Sequence, residues 1–340
     1  MAASASNLTV GDLGEQGVLA LLQGFCPAHI IGDDAALLTP NPGHQLVITT
    51  DVLVEGVHFS DRTTSARDVG WRSAAVNLSD LAAMGASPLG LTVGLGLPPG
   101  LSQHWLQEVY MGLSDCLQTY GGVIWGGDVV RSPTITVSIT ALGEVPDQGA
   151  ILRHRAQPGH VLLATGWHGA SRAGLELLLH PTWGGDLNPS DRAALLQAHQ
   201  RPVPRFDVLQ ALRQCICPGT IAGMDSSDGL ADAVVQLCRA SQVGAILAQD
   251  QIPIHPALFR TRSLSPLQAQ DWALYGGEDF ELVLSLPPQA AAQLLPQLES
   301  GAAIIGQITP DLEVYLQGSG APQRLSLESG FQHWSSPPLM

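Results

Sequence analysis

Residues 76–88 read VNLSDLAAMGASP, and this stretch decides how the rest of the chain is interpreted. Its small and apolar residues, with no proline before Pro88, predict the end of a buried helix over residues 68–85. Asp80 lies within this apolar setting, and Asn77 lies three residues earlier, on the same helix face. A carboxylate desolvated there is unfavourable unless it is paired or bound to a metal ion. Asp80 is therefore the first candidate for a functional residue.

Similar acidic residues recur at the edges of apolar runs along the whole chain. They are Asp33, Asp34, Asp51, Asp128, Asp225, Asp228, Glu278 and Asp279. The chain has thirty Asp and Glu residues but only fifteen basic residues, so ion pairing cannot satisfy every acid. Carboxylates, together with the hydroxyls of Thr49 and Thr50 beside Asp51, are hard oxygen ligands. Such ligands favour Mg²⁺ over zinc or a softer metal.

All fifteen basic residues are arginine, and the net charge is −15. The absence of lysine excludes a Walker A loop and a protein-kinase site, because both place a lysine on the nucleotide phosphates. Schiff-base catalysis is excluded for the same reason. An isoelectric point near 4.9 also argues against nucleic acid or an anionic membrane as partner. Phosphate ligands remain compatible with this charge where a metal ion neutralises them.

Glycines beside the acids predict phosphate binding. Gly126 and Gly127 precede Asp128, and another glycine pair precedes Glu278. Glycine lets backbone amides approach a phosphate closely. Residues 226–228 also precede a predicted helix, whose N-terminus can bind an anion. Acids for Mg²⁺ and glycines for phosphate together predict a nucleoside triphosphate site.

Length and pattern predict two domains of mixed α/β (α+β) class. At about 150 residues per domain, a chain of 340 residues corresponds to two. A cluster of Pro, Asp, Gln and Gly predicts the boundary, so that the domains cover 1–146 and 147–340. Helices are predicted at 12–22, 68–85, 103–120, 170–179, 205–214, 230–241 and 289–298. Strands are predicted at 35–38, 46–50, 89–97, 122–125, 134–143, 161–165 and 280–286, with one more near the C-terminus. A polar stretch separates the helix at 170–179 from the helix that begins at 205.

The cysteines and the apolar segments predict a cytoplasmic protein without a membrane span. The five cysteines are scattered and lack the paired spacing of a zinc site, so we expect reduced thiols. Residues 1–10 have neither the positive charge nor the apolar segment of a signal peptide. The apolar stretch at 81–109 is interrupted by prolines and glycines, which argues against a transmembrane helix.

At these motifs the chain resembles the thiamine-monophosphate kinases, whose superfamily includes aminoimidazole ribonucleotide synthetase and selenophosphate synthetase. The resemblance is carried by residues 76–88, by TTDVLVEGVHF at 49–59 and by GGEDFEL at 276–282. It implies ATP-dependent phosphorylation of thiamine monophosphate to thiamine diphosphate with several Mg²⁺ ions. It also implies the two-domain aminoimidazole ribonucleotide synthetase-like fold, in a homodimer whose N-terminal domains bind ATP and Mg²⁺ and pair to close a β-barrel.

By motif position, the resemblance implies three sets of site residues and no side chain that acts as catalytic base or nucleophile. The implied metal ligands are Asp33, Thr49, Thr50, Asp51, Asp80, Asp128, Asp225 and Asp228. The implied ATP contacts are Gly127, Asp128, Arg153 and Ser227, with Arg155 as an alternative to Arg153. The implied contacts to thiamine monophosphate are His58, Glu278 and Phe331.

Departures from the family pattern and two alternatives remain. Val129 and Val130 replace threonines that are usual in the family, so a hydroxyl contact there is lost. One alternative is another ATP-dependent enzyme of the same superfamily, similar to aminoimidazole ribonucleotide synthetase. The other is a regulator that binds Mg²⁺ and nucleotide without catalysis. Selenophosphate synthetase is disfavoured, because it requires a lysine that this chain lacks.

Overall fold

The computed structural model describes residues 8–31 and 33–327. These residues divide into two compact units, the first made of 8–81 with 86–146 and the second of 82–85 with 147–327. No helix in the described ranges is long and apolar enough to cross a membrane.

The first unit is built on a four-stranded sheet. Its elements are α1 (Val10–Gln23), β1 (His44–Val54), α2 (Ala66–Ala83), β2 (Ser87–Leu97), α3 (Gln103–Tyr120), β3 (Val123–Arg131) and β4 (Thr136–Pro146). The strand order is β1-β4-β2-β3, in which β2 and β3 are parallel and the other pairs are antiparallel. Alternate residues of β2 and β4 are buried, so one face of the sheet carries the core of the unit.

Helices α2 and α3 cross with their backbones in contact. A β-carbon on Gly70 would lie 1.9 Å from the carbonyl oxygen of Val109, and one on Gly112 would lie 1.9 Å from that of Arg67. Any larger residue would push the helices apart, because a close-packed interior has no room for the added atoms. This crossing fixes the position of α2, the helix that carries Asn77 and Asp80.

The second unit is built on a seven-stranded mixed sheet in the order β11-β10-β7-β9-β5-β8-β6. Its elements are β5 (Val161–Ala164), α4 (Ala170–Leu179), α5 (Pro189–Gln200), α6 (Phe206–Cys215), β6 (Ala222–Asp225), α7 (Leu230–Ser241), β7 (Gly244–Ala248), α8 (Pro266–Tyr275), β8 (Leu282–Leu286), α9 (Pro288–Leu294), β9 (Ala303–Thr309), β10 (Val314–Gln317) and β11 (Gln323–Arg324). Leu162 packs in one apolar cluster with residues of α7. Leu163 packs in another with residues of α6 and α9, so helices cover both faces of this sheet.

Most predicted elements are confirmed, but the first two differ. The predicted strand at 35–38 is wrong, because these residues form no strand. A run of four apolar residues suggests a strand by composition alone. It carries no information about whether another strand lies beside it to form the hydrogen bonds of a sheet. Helix α1 is capped by Thr9 rather than starting at Asp12: the Asp12 amide donates to Thr9 Oγ1 (3.2 Å), and the Thr9 amide donates to Asp12 Oδ2 (3.0 Å).

Strand β3 is longer than predicted, and the sequence does not predict α5, α8, β6, β7 or two of the three strands near the C-terminus. Gly126, Gly127 and Asp128 lie within β3, because a register shift beside Leu91 and a φ of 137° at Gly126 let pairing with β2 continue. Helices α5 and α8 begin with a proline after a capping Asn or Ser, a signal obscured by their polar composition. Strands β6 and β7 have only four and five residues.

Candidate active site

Strand β1 and helix α2 bring together three of the predicted metal ligands. The hydroxyl of Thr49 donates to the carboxylate of Asp80. The amide of Asp51 donates to Asn77 Oδ1 (3.1 Å), and Asn77 is fully buried. Asn77 Nδ2 donates in turn to the carbonyl of Ser73 (3.0 Å) on the preceding turn of α2. Asn77 and Asp80 therefore project from one face of α2 toward β1, as the sequence predicts.

The side chain of Thr50 lies on the opposite face of the sheet. Its hydroxyl is 2.8 Å from that of Thr140, its partner residue on β4. Adjacent residues of a strand point to opposite faces, so Thr49 and Thr50 cannot both direct their hydroxyls toward Asp80. The structure thus separates two of the predicted ligands that are neighbours in sequence.

A cavity of about 490 Å³ in the first unit groups another set of predicted residues. Asp33, Gly127 and Asp128 line it, together with apolar side chains of α1 and α3. The β2–β3 and β2–β4 registers align Asp128 with Gly94 and Ser138, on the sheet face that also carries Thr50. The first unit therefore presents two acidic groups on opposite faces of one sheet.

The loop that carries Asp33 is anchored by a buried carboxylate. Glu144 of β4 accepts hydrogen bonds from the backbone amide (3.1 Å) and the side-chain amide of Asn41. The Asn41 backbone amide is the main reason that the pKa of Glu144 lies below its usual value. This contact joins the end of the loop to the sheet across 103 residues of sequence.

His58 follows β1 and is held by it. Its Nδ1 accepts a hydrogen bond from the amide of Val54 (3.0 Å), and its own amide donates to the Val54 carbonyl (2.9 Å). Because Nδ1 accepts, the neutral ring carries its hydrogen on Nε2, which is then its donor. The neutral His58 ring therefore has a single N–H donor.

In the second unit, two predicted site loops meet at one edge of the sheet, where β6 ends and β8 begins. Asp225 is the buried last residue of β6, and the amide of Ser226 donates to the carbonyl of Glu281 (2.8 Å). The amide of Glu278 donates to the carbonyl of Ser227 (2.6 Å). Predicted residues from two distant motifs are thus joined by backbone hydrogen bonds.

The GGEDFEL motif forms a strained turn. Glu278 and Phe280 have φ values of 58° and 52°, in the left-handed region, and Gly277 has a φ of 67°. Non-glycine residues rarely adopt this region and do so mostly at functional sites. The turn places Glu278 Oε2 3.6 Å from Nδ1 of the buried His199, with the Glu278 carboxylate partly exposed.

Beneath this edge lies a buried polar network that sequence reasoning missed. Arg205 donates to the carboxylate of Glu281, to the carbonyl of Thr165 (3.2 Å) and to Asp207 (2.7 Å). Thr165 Oγ1 donates to Glu281 Oε2 (2.7 Å). Burial raises the pKa of Glu281, and the Arg205 charge opposes that rise. Glu281 belongs to a recognised motif, but no sequence signal connects it to Arg205, 76 residues away.

Asp279 caps helix α4. Its carboxylate accepts hydrogen bonds from the amides of Gly169 (2.7 Å) and Ser171 (3.0 Å). Dense packing of protein atoms around the carboxylate raises its pKa to about 7, even though these amides favour the charged form. Asp279, singled out in the sequence as a candidate ligand, therefore has a structural role in the fold.

The structure distinguishes the two candidate arginines near the start of the second unit. Arg153 is exposed, and its Nη1 donates to Gln236 Oε1 (2.7 Å). Arg155 is half-buried, and its Nη1 donates to the carbonyl oxygens of Ala150 (2.7 Å) and Gly219. Phe331, the remaining predicted contact, lies outside the described residues.

The donors around β1 and α2 fit Mg²⁺, because all of them are oxygen atoms of carboxylates and a hydroxyl. In residues 8–31 and 33–327, no three His, Cys, Asp or Glu side chains lie close enough together to hold an ion by themselves. Mg²⁺ commonly takes one or two carboxylates and completes its shell with substrate phosphates and water. The residues therefore fit an ion that arrives with a nucleotide, not one enclosed by protein alone.

Comparison with known proteins gives a consistent result. Two family models, AIR synthase related protein N-terminal domain and C-terminal domain, match residues 32–145 and 157–318. A thiamine-monophosphate kinase of Synechococcus elongatus is 51% identical over 334 residues, which are 97% of this chain and 99% of that protein.

Solved structures share this fold. The thiamine-monophosphate kinase from Stenotrophomonas maltophilia aligns with a TM-score of 0.75 and 36% identity over 84% of this chain and 90% of that one. AaThiL complexed with AMPPCP and TMP aligns with a TM-score of 0.72 and 29% identity over 93% of this chain and 98% of that one. The fold is the two-domain AIR synthase-like α/β fold with mixed sheets. On this combined evidence the chain belongs to the thiamine-monophosphate kinase family.

Proposed function

We propose that this chain transfers the γ-phosphoryl group of ATP to thiamine monophosphate, yielding thiamine diphosphate and ADP. The observation that carries the proposal is the cluster of Thr49, Asp51, Asn77 and Asp80, built from two family motifs. A structural relative, AaThiL, holds both AMPPCP and TMP. An oxygen of the acceptor phosphate attacks the γ-phosphorus, a new O–P bond forms, and the bond to the β-phosphate oxygen breaks. No general base is needed, because a phosphate monoester with a second pKa of about 6 is mostly ionised near neutral pH.

The acidic residues of both units would hold several Mg²⁺ ions. The proposed ligands are Asp33, Thr49, Thr50, Asp51, Asp80, Asp128, Asp225 and Asp228. When bound, Mg²⁺ would reduce the repulsion between the two anionic reactants. The protein's own contribution is alignment: Asn77 fixes the backbone at Asp51, and Thr49 fixes the carboxylate of Asp80. Thr50 is proposed from motif position alone, because its hydroxyl lies on the sheet face opposite Thr49 and Asp80.

ATP would contact Gly127, Asp128, Arg153 and Ser227. Arg153 is supported over Arg155, because it is exposed, whereas Arg155 is engaged by two backbone carbonyls. Thiamine monophosphate would contact His58, Glu278 and Phe331. His58 offers its Nε2 hydrogen, and Glu278 presents a partly exposed carboxylate.

The N-terminal domain, residues 1–146, would bind ATP and Mg²⁺ and pair with a second copy to close a β-barrel, while residues 147–340 form the C-terminal α/β domain. Leu46, Ile48 and Val52 alternate along β1, at one edge of its sheet, and are 42%, 63% and 46% exposed. An edge strand with an exposed apolar face is a favourable surface for pairing. Ile48→Lys should therefore convert a dimer to a monomer in light scattering, and an unchanged mass would contradict the dimer.

We also place the protein in the cytoplasm. All five cysteines carry free thiols. Free thiols are typical of compartments in which glutathione and thioredoxin keep cysteine reduced.

The direct test is incubation with ATP, Mg²⁺ and thiamine monophosphate, followed by chromatography for thiamine diphosphate. The matched control omits Mg²⁺ and adds a chelator, which should remove product formation. Turnover of formylglycinamidine ribonucleotide in place of thiamine monophosphate would support the synthetase alternative. ATP binding without consumption with either acceptor would support the regulator.

A further inference from the structure

His168 is a fully buried histidine between β5 and α4, and the proposed reaction does not use it. Its Nδ1 lies 3.1 Å from the carbonyl oxygen of Gly166, and its Nε2 lies 3.1 Å from Ser226 Oγ. A carbonyl oxygen only accepts, so Nδ1 carries the ring hydrogen and Nε2 has the lone pair. The hydroxyl of Ser226 therefore donates to His168.

Ser226 is the centre of the segment that carries the proposed ligands of the second unit, residues 225–228. Its amide donates to the carbonyl of Glu281 (2.8 Å), and its carbonyl accepts from the amide of Gly229 (3.2 Å). Ser226 itself is fully buried, whereas Asp225 and Ser227 flank it in sequence. These backbone contacts leave the side-chain hydroxyl of Ser226 free to rotate, and the hydrogen bond to His168 fixes that hydroxyl.

His168 is itself held rigidly. Its amide donates to the carbonyl of Pro253 (2.7 Å), and its carbonyl accepts from the amide of His255 (3.0 Å). The next residue, Gly169, is bound through its amide to Asp279 (2.7 Å). Burial lowers the pKa of His168 to about 4, so its ring stays neutral and its acceptor persists at neutral pH. Because the amide and the carbonyl of His168 are both hydrogen-bonded, its ring has a fixed position and can orient the hydroxyl of Ser226.

We propose that His168 is a positioning residue that orients residues 225–228 for Mg²⁺ and nucleotide through its hydrogen bond to Ser226. The proposal rests on the proposed function, because it assigns Asp225, Ser227 and Asp228 to the ion and ATP. The ring nitrogens of His168 contact Gly166 and Ser226, and neither of these residues is assigned to a ligand. The competing explanation is that His168 only fills space in the core.

The chain offers a matched control at the other end of β5. His160 precedes this strand, and its Nδ1 lies 3.3 Å from Oγ of the buried Ser285. This pair also joins a histidine nitrogen to a buried serine hydroxyl, but His160 is half-buried, and Ser285 lies on β8 opposite Ala222, not beside the 225–228 segment. A purely structural role predicts that changes in either pair alter stability and that neither alters nucleotide affinity.

The test measures binding of Mg²⁺·AMPPCP to the full chain by isothermal titration calorimetry, with thermal melts alongside. His168→Leu and Ser226→Ala should each weaken binding about tenfold, the factor that one ordinary hydrogen bond supports. The double variant should bind no more weakly than either single variant, because both changes remove the same bond. His168→Gln, which keeps an acceptor near the Nε2 position, should recover part of the affinity. His160→Leu and Ser285→Ala should lower the melting temperature and leave the affinity within about twofold.

The proposal is overturned if His168→Leu lowers the melting temperature as His160→Leu does and leaves nucleotide affinity unchanged. If His168→Leu does not fold, the nearly isosteric Ser226→Ala variant decides the question alone. A wild-type chain that binds Mg²⁺·AMPPCP but forms no thiamine diphosphate would refute the proposed function and leave this test intact. A wild-type chain that does not bind the nucleotide would refute both.

Discussion

The two units hold their acidic residues in different ways. In the first unit, Asp80 accepts a hydrogen bond from the neutral hydroxyl of Thr49. In the second unit, Glu281 is paired with the guanidinium of Arg205, and Asp279 accepts from the N-terminal amides of α4. Thr49 thus orients Asp80 with a neutral donor, whereas Arg205 pairs Glu281 with an opposite charge and Asp279 serves as a helix cap. An acid at the edge of an apolar run can therefore serve ligand binding or stability, and its contacts in the fold show which structural role it has.

The largest expected effect is on kcat, and it should appear at the proposed ligands of the first unit but not at an exposed acid of the second unit. Asp51→Asn and Asp80→Asn should each lower kcat by about three orders of magnitude, because the charge that binds Mg²⁺ is removed from a preformed cluster. Their melting temperatures should stay near that of the wild type. Asp250→Asn, at an exposed position of the second unit, makes the same charge change and should retain full activity. Near-normal turnover in both variants would contradict the ligand assignment.

The next effect should appear in stability. Arg205→Leu should lower the free energy of unfolding by about 3–5 kcal/mol, because it leaves Glu281 as an uncompensated buried charge. Urea denaturation measures this change, and adding Glu281→Leu should restore part of the loss. The control is Arg324→Leu, which breaks an ion pair with Glu313 in which the two side chains are 66% and 42% exposed. That pair should contribute less than about 1 kcal/mol, and equal losses would show that burial does not set the difference.

A smaller effect tests the two faces of β1. Thr49→Val should lower kcat/KM about tenfold, since it removes the donor that orients Asp80. Thr50→Val should have a weaker effect than Thr49→Val, because the Thr50 hydroxyl contacts Thr140 and not a carboxylate. Steady-state kinetics on the two isosteric variants compares the faces directly. An equal loss at Thr50 would show that this hydroxyl does reach the ligands.

The smallest effect concerns pH. The Asp279 carboxyl has a pKa raised to about 7 in the folded chain, against an ordinary 3.8. Between these values the folded state binds more protons than the unfolded state, so wild-type stability falls as pH rises through this window. Asp279→Asn removes that dependence. The melting temperature of the variant relative to wild type should therefore rise by a few degrees between pH 4 and pH 7, and a fall would contradict the raised pKa.

The sequence predicts elements best where a segment is long and uniform. Helices α2 and α3 are found because their patterns extend over 18 residues each, and the shared face of Asn77 and Asp80 follows from helical geometry. The opposite directions of Thr49 and Thr50 follow from strand geometry as well, but motif resemblance treats both as ligands. Helix α5 is obscured by polar composition, although Asn188 and Pro189 mark its start.

Contacts between distant segments are the part that the sequence does not predict. The cavity that joins Asp33 to Asp128 depends on a loop with no regular structure of its own. The pair of Arg205 and Glu281 spans 76 residues, and the bond between His168 and Ser226 spans 58. Neither periodicity nor local propensity carries information about such pairs, because both describe only neighbouring residues. The residue types of the proposed site are therefore visible in the sequence, and the contacts that support them are not.

The glycines at the crossing of α2 and α3 affect how any saturation mutagenesis of this chain must be interpreted. We expect positions 70 and 112 to reject every substitution, as the proposed ligand positions 51 and 80 should, since a β-carbon added at either glycine would meet backbone atoms at 1.9 Å. A mutational scan scored by growth alone would thus assign Gly70 and Gly112 to the active site, although both act only in helix packing. Scoring soluble yield in parallel would separate them, because the glycine variants would be lost from the soluble fraction and the aspartate variants would remain in it.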